Sequence, residues 1–338
     1  MAQTAAKVLT FTSTGESSWG TSGAATKKYH GLTDATLTIV EKVEAVPVVG
    51  WFGPGPVANE QAQSGEGTFE GTVVYEDITN VLNGLFTYTS ASTGNSTGGT
   101  TAPYYYSWTA PVSSTQVVAT YTLEYGTTGQ AYTAIGSALN GLTLRGEAAG
   151  YWTFSSPVIA KQIKPLTGLT TAALVDRTVN PARMADTTLY MDAFSTGTIG
   201  ATAISASLIS FEANINMNRH TKTFAGSLYP GGWGEGRTEG TLRTLLEFNT
   251  TQKALIDELL GTTGVALQRQ IRIKASQGSS ATQKSMALDF CGIVSDPIKF
   301  WDDRDGNMTV DLTWTGKYST AISNWLRFIV ENGSSSTT

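Results

Sequence analysis

The stretch Gly65-Glu66-Gly67-Thr68-Phe69-Glu70-Gly71-Thr72 returns later in the chain as Gly234-Glu235-Gly236-Arg237-Thr238-Glu239-Gly240-Thr241, with six of eight positions identical. The copies lie 169 residues apart in a chain of 338. A repeat at half the chain length points to two copies of one domain rather than to a short-period solenoid. Upstream, Ala35-Thr36-Leu37-Thr38-Ile39-Val40-Glu41 answers to Ala206-Ser207-Leu208-Ile209-Ser210-Phe211-Glu212. Loops rich in Pro, Gly and aromatics separate these runs from the motif, Pro47 to Pro56 and Tyr229 to Trp233. Downstream, Ile78 to Phe86 and Gln252 to Leu260 each read as a short apolar helix.

Composition agrees with a duplicated β protein. Length alone predicts about two domains. The chain is 40% hydrophobic and only 14% charged, against a usual charged share of about 25%. Abundant Thr, Val, Tyr and Trp suit pleated surfaces better than exposed helices. A surface so poor in charge fits one largely covered by further copies of the same chain. The net charge of −5 carries no basic footprint for tight nucleic-acid binding. Cys291, the single cysteine, lies in an apolar strand-like run and reads as a small buried hydrophobe. The first residues lack the apolar core of a signal peptide, and no run is long enough to span a bilayer.

The order of elements follows from period and turn chemistry. Val8 to Thr12 and Thr188 to Phe194 are matched strands; the Ser/Gly stretch around Trp19 reads as a loop or flexible arm. Leu37, Ile39, Val43 and Val46 mark a strand, as does Leu208 to Met217. Asp77 is placed to cap the first helix, and Thr250-Thr251 the second, which Gly261 ends. Thr87 to Ala102 reads as a long exposed loop. Tyr104 to Trp108 and Val117 to Tyr125 are matched with Leu267 to Ala275 and Ser285 to Phe290. Each half closes in a hairpin, Leu142 to Phe154 and Ile298 to Trp314, the latter through Asp305-Gly306-Asn307. After Gly316, Ala321, Ile322, Trp325, Leu326, Phe328 and Ile329 recur at helical spacing. The expected boundaries are a first domain at 1–164 with an N-terminal arm, a linker at 165–187, a second domain at 188–318, and a helix or arm with a disordered tail at 319–338.

Chemistry is scarce. His30 and His220 stand alone, outside metal-ligand spacing. No nucleophile elbow, Walker loop or dinucleotide fingerprint occurs. The Asp302 to Asn307 run lacks the spacing of a calcium loop. Glu66 and Glu70 could in principle serve a glycosidase, but a Glu pair occurring in both halves favours a structural role. No catalytic, cofactor or metal residues are expected, and the chain reads as a non-enzyme.

The order of features, with the closing runs Ser137 to Tyr151 and Trp152, ending Ile159-Ala160-Lys161, and Thr313-Trp314-Thr315-Gly316-Lys317, resembles the tail tube proteins of long-tailed bacteriophages. The resemblance implies a mainly β fold, two tandem β-sandwich or barrel-like domains, each with one flanking α-helix. It further implies assembly with itself, three chains closing a pseudo-sixfold ring, four inner strands per chain adding edge to edge, and rings stacking into a tube. DNA would slide through without specific binding. The implied partners are tape-measure, tail terminator and distal tail proteins, and the place is the virion tail. Trp51, Phe52, Tyr229, Trp233, Trp325 and Phe328 are the expected contacts between subunits or rings. The glycines and glutamates of the repeated motif (Gly65, Glu66, Gly67, Glu70, Gly71, Gly234, Glu235, Gly236, Glu239, Gly240) are its expected structural signature. Another ring-forming tail component is the nearest alternative. A carbohydrate-binding β-sandwich, suggested by eight Trp and thirteen Tyr, is a different one.

Overall fold

The computed structural model describes residues 8–12, 15–46, 57–92, 103–113, 118–170, 174–176, 178–204, 207–250, 253, 254, 257, 267–279, 282–295, 302–304 and 306–333. The fold is mainly β, with a large antiparallel sheet. The first half holds β1 (Val8–Phe11), β2 (Lys27–Lys28), β3 (Leu32–Val46), β4 (Val57–Thr72), α1 (Ile78–Leu85), β5 (Tyr88–Ser92), β6 (Tyr104–Thr109), β7 (Tyr121–Gly126), β8 (Ala131–Leu139), β9 (Gly141–Glu147), β10 (Thr153–Ala160) and β11 (Gln162–Leu166). The second holds β12 (Thr187–Ala193), β13 (Ala203–Ile204), β14 (Leu208–Asn216), β15 (Arg219–Lys222), β16 (Gly232–Glu235), β17 (Glu239–Glu247), β18 (Gln268–Gln277), β19 (Lys284–Val294), β20 (Asp302–Arg304), β21 (Asn307–Gly316) and β22 (Leu326–Asn332).

Eight strands make one continuous front sheet in the order β3-β4-β10-β9-β14-β17-β21-β20. The front sheet takes four strands from each half. Behind it run β2-β1-β7-β8-β11 and β13-β12-β18-β19-β22, the second continued by β6-β5. In both halves one back strand also joins the front sheet, β8 through Ala138↔Ile159 and β19 through Gly292↔Gly316. Alternation puts apolar residues between the layers, and one hydrophobic core runs through both halves. At the seam, Phe211 of β14 meets Trp152 edge-on at 4.8 Å. Gly146 on β9 permits this approach, because a Cβ there would lie 2.4 Å from the Phe211 ring.

Several expectations are corrected by register. Ile159-Ala160-Lys161 and Thr315-Gly316-Lys317 close their sheets alike: Ile159 pairs with Glu66 and Thr315 with Thr241. Glu66 therefore corresponds to Thr241, six residues from the Glu235 that the repeated octapeptide aligns with it. The first octapeptide fills the end of β4, while the second spans β16 and the start of β17. Likewise Thr38 pairs with Glu66 and Asn214 with Thr241, so Ala35 to Glu41 does not answer to Ala206 to Glu212. What recurs is backbone geometry. The bulge between Leu32 and Asp34 on β3 returns between Leu208 and Ser210 on β14. The pairs Val43↔Glu60 to Val46↔Val57 return as Arg219↔Glu235 to Lys222↔Gly232.

The counterparts of β18 and β19 are β7 and β8, not Tyr104 to Trp108 and Val117 to Tyr125. Tyr104 to Trp108 belongs to β6, which with β5 forms a hairpin added to the edge of β22. Residues 88–92 of the expected exposed loop are thus strand, and 93–102 lie outside the described residues. Leu326 to Asn332 is a strand where a helix was expected. Leu326, Phe328 and Val330 alternate into the core while Arg327 turns to Asp289; over so short an apolar run, helical and strand periods cannot be told apart. The Trp19 stretch is anchored: the indole donates to the Gly136 carbonyl at 2.9 Å, beneath Lys161 at 5.5 Å. The first closing hairpin forms through a Glu147–Gly150 turn; in the second, Asp302 to Arg304 pair with Asn307 to Thr309 beside Gly306 (φ +82°), while Ile298 to Trp301 lie outside the described residues. Residues 180–184 bond to Val73, Tyr75, Gly150 and Trp152 of the first half.

Helix α1 does not flank the domain. Its apolar face of Ile78, Val81, Leu82 and Leu85 is buried, and so are Thr79 and Asn80. Asp77 makes no side-chain cap; its carboxylate accepts the His30 backbone N–H at 2.9 Å and lies 3.1 Å from the ring Nδ1. His30 is therefore engaged, not exposed. The helix end is held from the other half. Fully buried Arg219 donates from Nη1 to the carbonyls of Gly84 (2.7 Å) and Leu139 (2.6 Å), and from Nη2 to Leu85 (2.8 Å), with Glu235 3.5 Å away. A guanidinium at a helix C-terminus satisfies orphan carbonyls and opposes the dipole. In the second half, Thr250, Lys253, Ala254 and Asp257 are helical; the rest of that stretch lies outside the described residues.

The difference between Ala160 in the first closing run and Gly316 in the second has a packing cause. A Cβ at Gly316 would lie 2.6 Å from the Trp325 ring, and one at Gly240 2.9 Å from it; in the first half Ile163 occupies that place over Gly65. Gly316→Ala is expected to cost about 2–3 kcal/mol by overpacking, and the Gly316→Ala/Trp325→Ile double variant to cost at least about 1 kcal/mol less than the sum of its parts. Urea unfolding measures both, and simple additivity would contradict the steric account. Arg219→Leu should cost about 3 kcal/mol or more by stranding the α1 carbonyls. Arg219→Lys should recover less than half, because one ammonium cannot reach three carbonyls.

Candidate functional site: an acidic sheet face between two open edges

Period-two alternation presents one face of the front sheet away from the core. Following the cross-strand pairs, this face carries Asp34, Thr36 and Thr38 on β3, Glu66, Thr68 and Glu70 on β4, then Thr153 and Ser155 on β10. It continues through Thr143, Arg145 and Glu147 on β9, Ser210, Glu212 and Asn214 on β14, Glu239, Thr241, Arg243 and Glu247 on β17, and Asp311, Thr313 and Thr315 on β21. Among the described residues of this area, Asp34, Glu66, Glu70, Glu147, Glu212, Glu239, Glu247 and Asp311 stand against Arg145 and Arg243. Eight carboxylates less two guanidiniums leave six negative charges, on a chain whose whole net charge is −5.

Both arginines are engaged. Arg145 Nη2 donates to Glu212 at 3.2 Å across the β9–β14 seam, and Arg243 forks onto Asp311. The Asp311 carboxylate bonded to it holds the Arg243 guanidinium above its ordinary range. Exposed pairs like these contribute at most about 1 kcal/mol each. Their larger effect is to neutralise these two guanidiniums, leaving a face rich in carboxylates and in Thr or Ser hydroxyls, among them Glu70, which accepts from Ser155 Oγ at 3.0 Å. A depression of about 530 Å³ lies on it at the seam, lined by Arg145, Glu147, Tyr151, Thr153, Glu212 and Arg243.

The sheet has two ends. Among the described residues β3 pairs only with β4, and β20 only with β21. β3 offers a 15-residue edge with Ile39 and Val40 exposed. An open edge of this length is a template for another strand.

The expected contact residues are scattered. Phe328 is fully buried and Trp325 nearly so. Trp233 stacks on the Arg219 guanidinium at 5.1 Å, and Tyr229 lies in a loop whose carbonyl accepts from Ser227 Oγ. Trp51 and Phe52 lie outside the described residues. Of the repeated motif, Glu66, Glu70 and Glu239 reach the acidic face. Glu235 turns inward to Arg219, Gly234 lies under His220, and Gly236 bonds to the Asn218 carbonyl. Gly65, Gly67, Gly71 and Gly240 admit close neighbours: Ile163, the Thr36 carbonyl, the Gly31 carbonyl and Trp325. Asp34, Glu147, Glu212, Glu247, Asp311 and Arg219 were not singled out from sequence. The alternating Thr, Ser and Glu of β4 and β21 carried the signal for the face.

Cys291 is buried, and burial, with Asp289 nearby, pushes its thiol up to about 12, far from a nucleophile. Among the described residues no group of three or more His, Cys, Asp or Glu could hold a metal ion. Among the described residues no helix is long and apolar enough to cross a membrane. No family model matches this chain, and no curated protein matches it.

The face should repel phosphate. At about 150 mM salt the protein is expected not to shift duplex DNA. Replacing exposed Glu66, Glu70, Glu239 and Glu247 by Lys should create binding that weakens steeply with salt, with stability changed by less than about 1 kcal/mol. Wild-type retention of DNA in a gel shift would contradict this reading.

Proposed function

We propose that the chain is a ring-forming structural subunit of the tail-tube type, built from two tandem copies of one β-sandwich domain. It is not an enzyme in this reading. Three copies would close a pseudo-sixfold ring, and stacked rings would line a conduit through which DNA slides in a virion tail. Tape-measure, terminator and distal tail proteins would be its partners.

The observation that carries the proposal is the β9–β14 join. There the last front strand of one half pairs edge to edge with the first front strand of the next, Arg145 opposite Glu212 and Glu147 opposite Ser210. The same two kinds of edge are open at the ends of the chain. Asp302 pairs with Thr309 as Arg145 pairs with Thr153, and the bulges of β3 and β14 coincide. Repeating the join between copies sets Asp302 opposite Thr36, and Arg304 opposite Asp34. Three copies then make a barrel of 24 strands. With strands about 4.8 Å apart and tilted about 40°, it is about 48 Å across at the backbone, wide enough for a nucleic-acid duplex. The acidic face, placed inside, would offer phosphates no purchase.

Trp108, Trp152 and Trp314 are wholly buried and so do not stack on a sugar, which favours the ring reading over the sugar-binding alternative. Negative-stain microscopy across a concentration series tests the proposal. Hollow tubes or threefold rings are expected; a monomer persisting at high concentration would overturn it, and rings that never stack would assign the chain to a single-ring component.

A further inference from the structure

The two halves differ in what covers one groove. In the first half β10 leaves β4 at Gly65, and the Gln63 N–H beyond it donates to the Leu228 carbonyl at 2.9 Å. Leu228 belongs to the loop joining β15 to β16, so the second half's hairpin closes the groove over Gly65, Ala160 and Ile163. The base of that hairpin also docks: the Arg219 N–H donates to Asn140 Oδ1 at 2.5 Å. In the second half the corresponding groove, over Gly240, Gly316 and Trp325, is open. It holds about 820 Å³ and is rimmed by Val112, Thr238 and Tyr318. Val112 and Tyr318 are exposed, and Thr238 Oγ1, the counterpart position of Gln63, is buried without a hydrogen-bond partner.

We infer that this groove is the socket for the β3–β4 hairpin of a second copy of this chain, with Val43 seated against Val294 and Ser295. The inference rests on the ring reading and names a contact that edge pairing alone does not require. Three observations select the occupant. The hairpins correspond pair for pair, so Val43 takes the place of Arg219. Ser295 takes the place of Asn140: the Ser295 N–H donates to the Thr313 carbonyl as that of Asn140 donates to Pro157. Val43 is 57% exposed and Ser295 is exposed too, so both sites are unfilled in the single chain. The chain's own β3–β4 hairpin cannot serve, because β3 and β20 are opposite edges of the sheet, seven strand spacings or about 34 Å apart.

The occupant also explains an apolar hairpin base in water, since Ile39, Val40 and Val43 are all exposed. Arg219 enters a polar collar of carbonyls; Val43 would meet Val294, an apolar contact in place of a polar one.

The variants Val43→Cys and Ser295→Cys, each adding one cysteine at an exposed position beside the buried native Cys291, test this when mixed, assembled and oxidised. A disulfide-linked dimer is expected from the mixture and not from either variant alone, and the Val43→Cys/Ser295→Cys double variant should give a ladder ending at a closed trimer. Val43→Asp should raise the concentration needed for assembly at least about tenfold with the melting temperature unchanged. Rings seen by microscopy without crosslinking would overturn the socket and leave the ring; a monomer throughout would overturn both.

Discussion

The antiparallel pairing of β9 with β14 is the constraint on which the rest depends. Seven residue pairs, Asn216↔Gly141 to Ser210↔Glu147, turn two four-stranded sheets into one. Without that join there would be two small sandwiches, each with two free edges and a short acidic patch. With it, the front sheet presents one continuous face and, among the described residues, two open edges, β3 and β20. The seam is supported from behind by Trp152 against Phe211 and from the front by Arg145 with Glu212. The buried contact outweighs the exposed one: aromatic pairs add about 0.5–1.5 kcal/mol beyond their burial, whereas an exposed ion pair adds at most about 1.

The halves are further locked by exchanging elements. Arg219 of the second half holds the C-terminal carbonyls of α1 in the first. The β5–β6 hairpin of the first half extends the back sheet of the second through β22. Phe86 beside α1 stacks on Phe328 at 5.4 Å, and Asn332 donates to the Tyr75 carbonyl. The Arg219, Phe86–Phe328 and Asn332 contacts are buried, so they tie the two halves together through their cores.

The sequence was most legible where turn chemistry and alternation coincide. The hairpins ending at Gly150 and at Gly306 and the strand periods of β3 and β14 could be read directly. The octapeptide repeat misled, because Gly, Glu and Thr recur at strand ends for local reasons; the likeness between the halves lies in bulges and registers that single residues do not encode. The segment from Trp325 to Asn332 misled for another reason: apolar residues on both faces of a buried strand mimic helical spacing. The acidic face was hidden because its carboxylates are dispersed singly over β3, β4, β9, β14, β17 and β21. Only pairing gathers them. Arg219 was invisible for the same reason, since its partners lie about 80 and 135 residues away.

Cryo-electron microscopy of particles assembled from the purified chain, at a resolution that separates strands, tests the central claim most directly. The account predicts three copies around a closed barrel of 24 strands, with Thr36 of each copy opposite Asp302 of the next and the carboxylates of Asp34, Glu66 and Glu239 lining the lumen. Six copies in the ring, or copies joined through any surface other than the β3 and β20 edges, would contradict it.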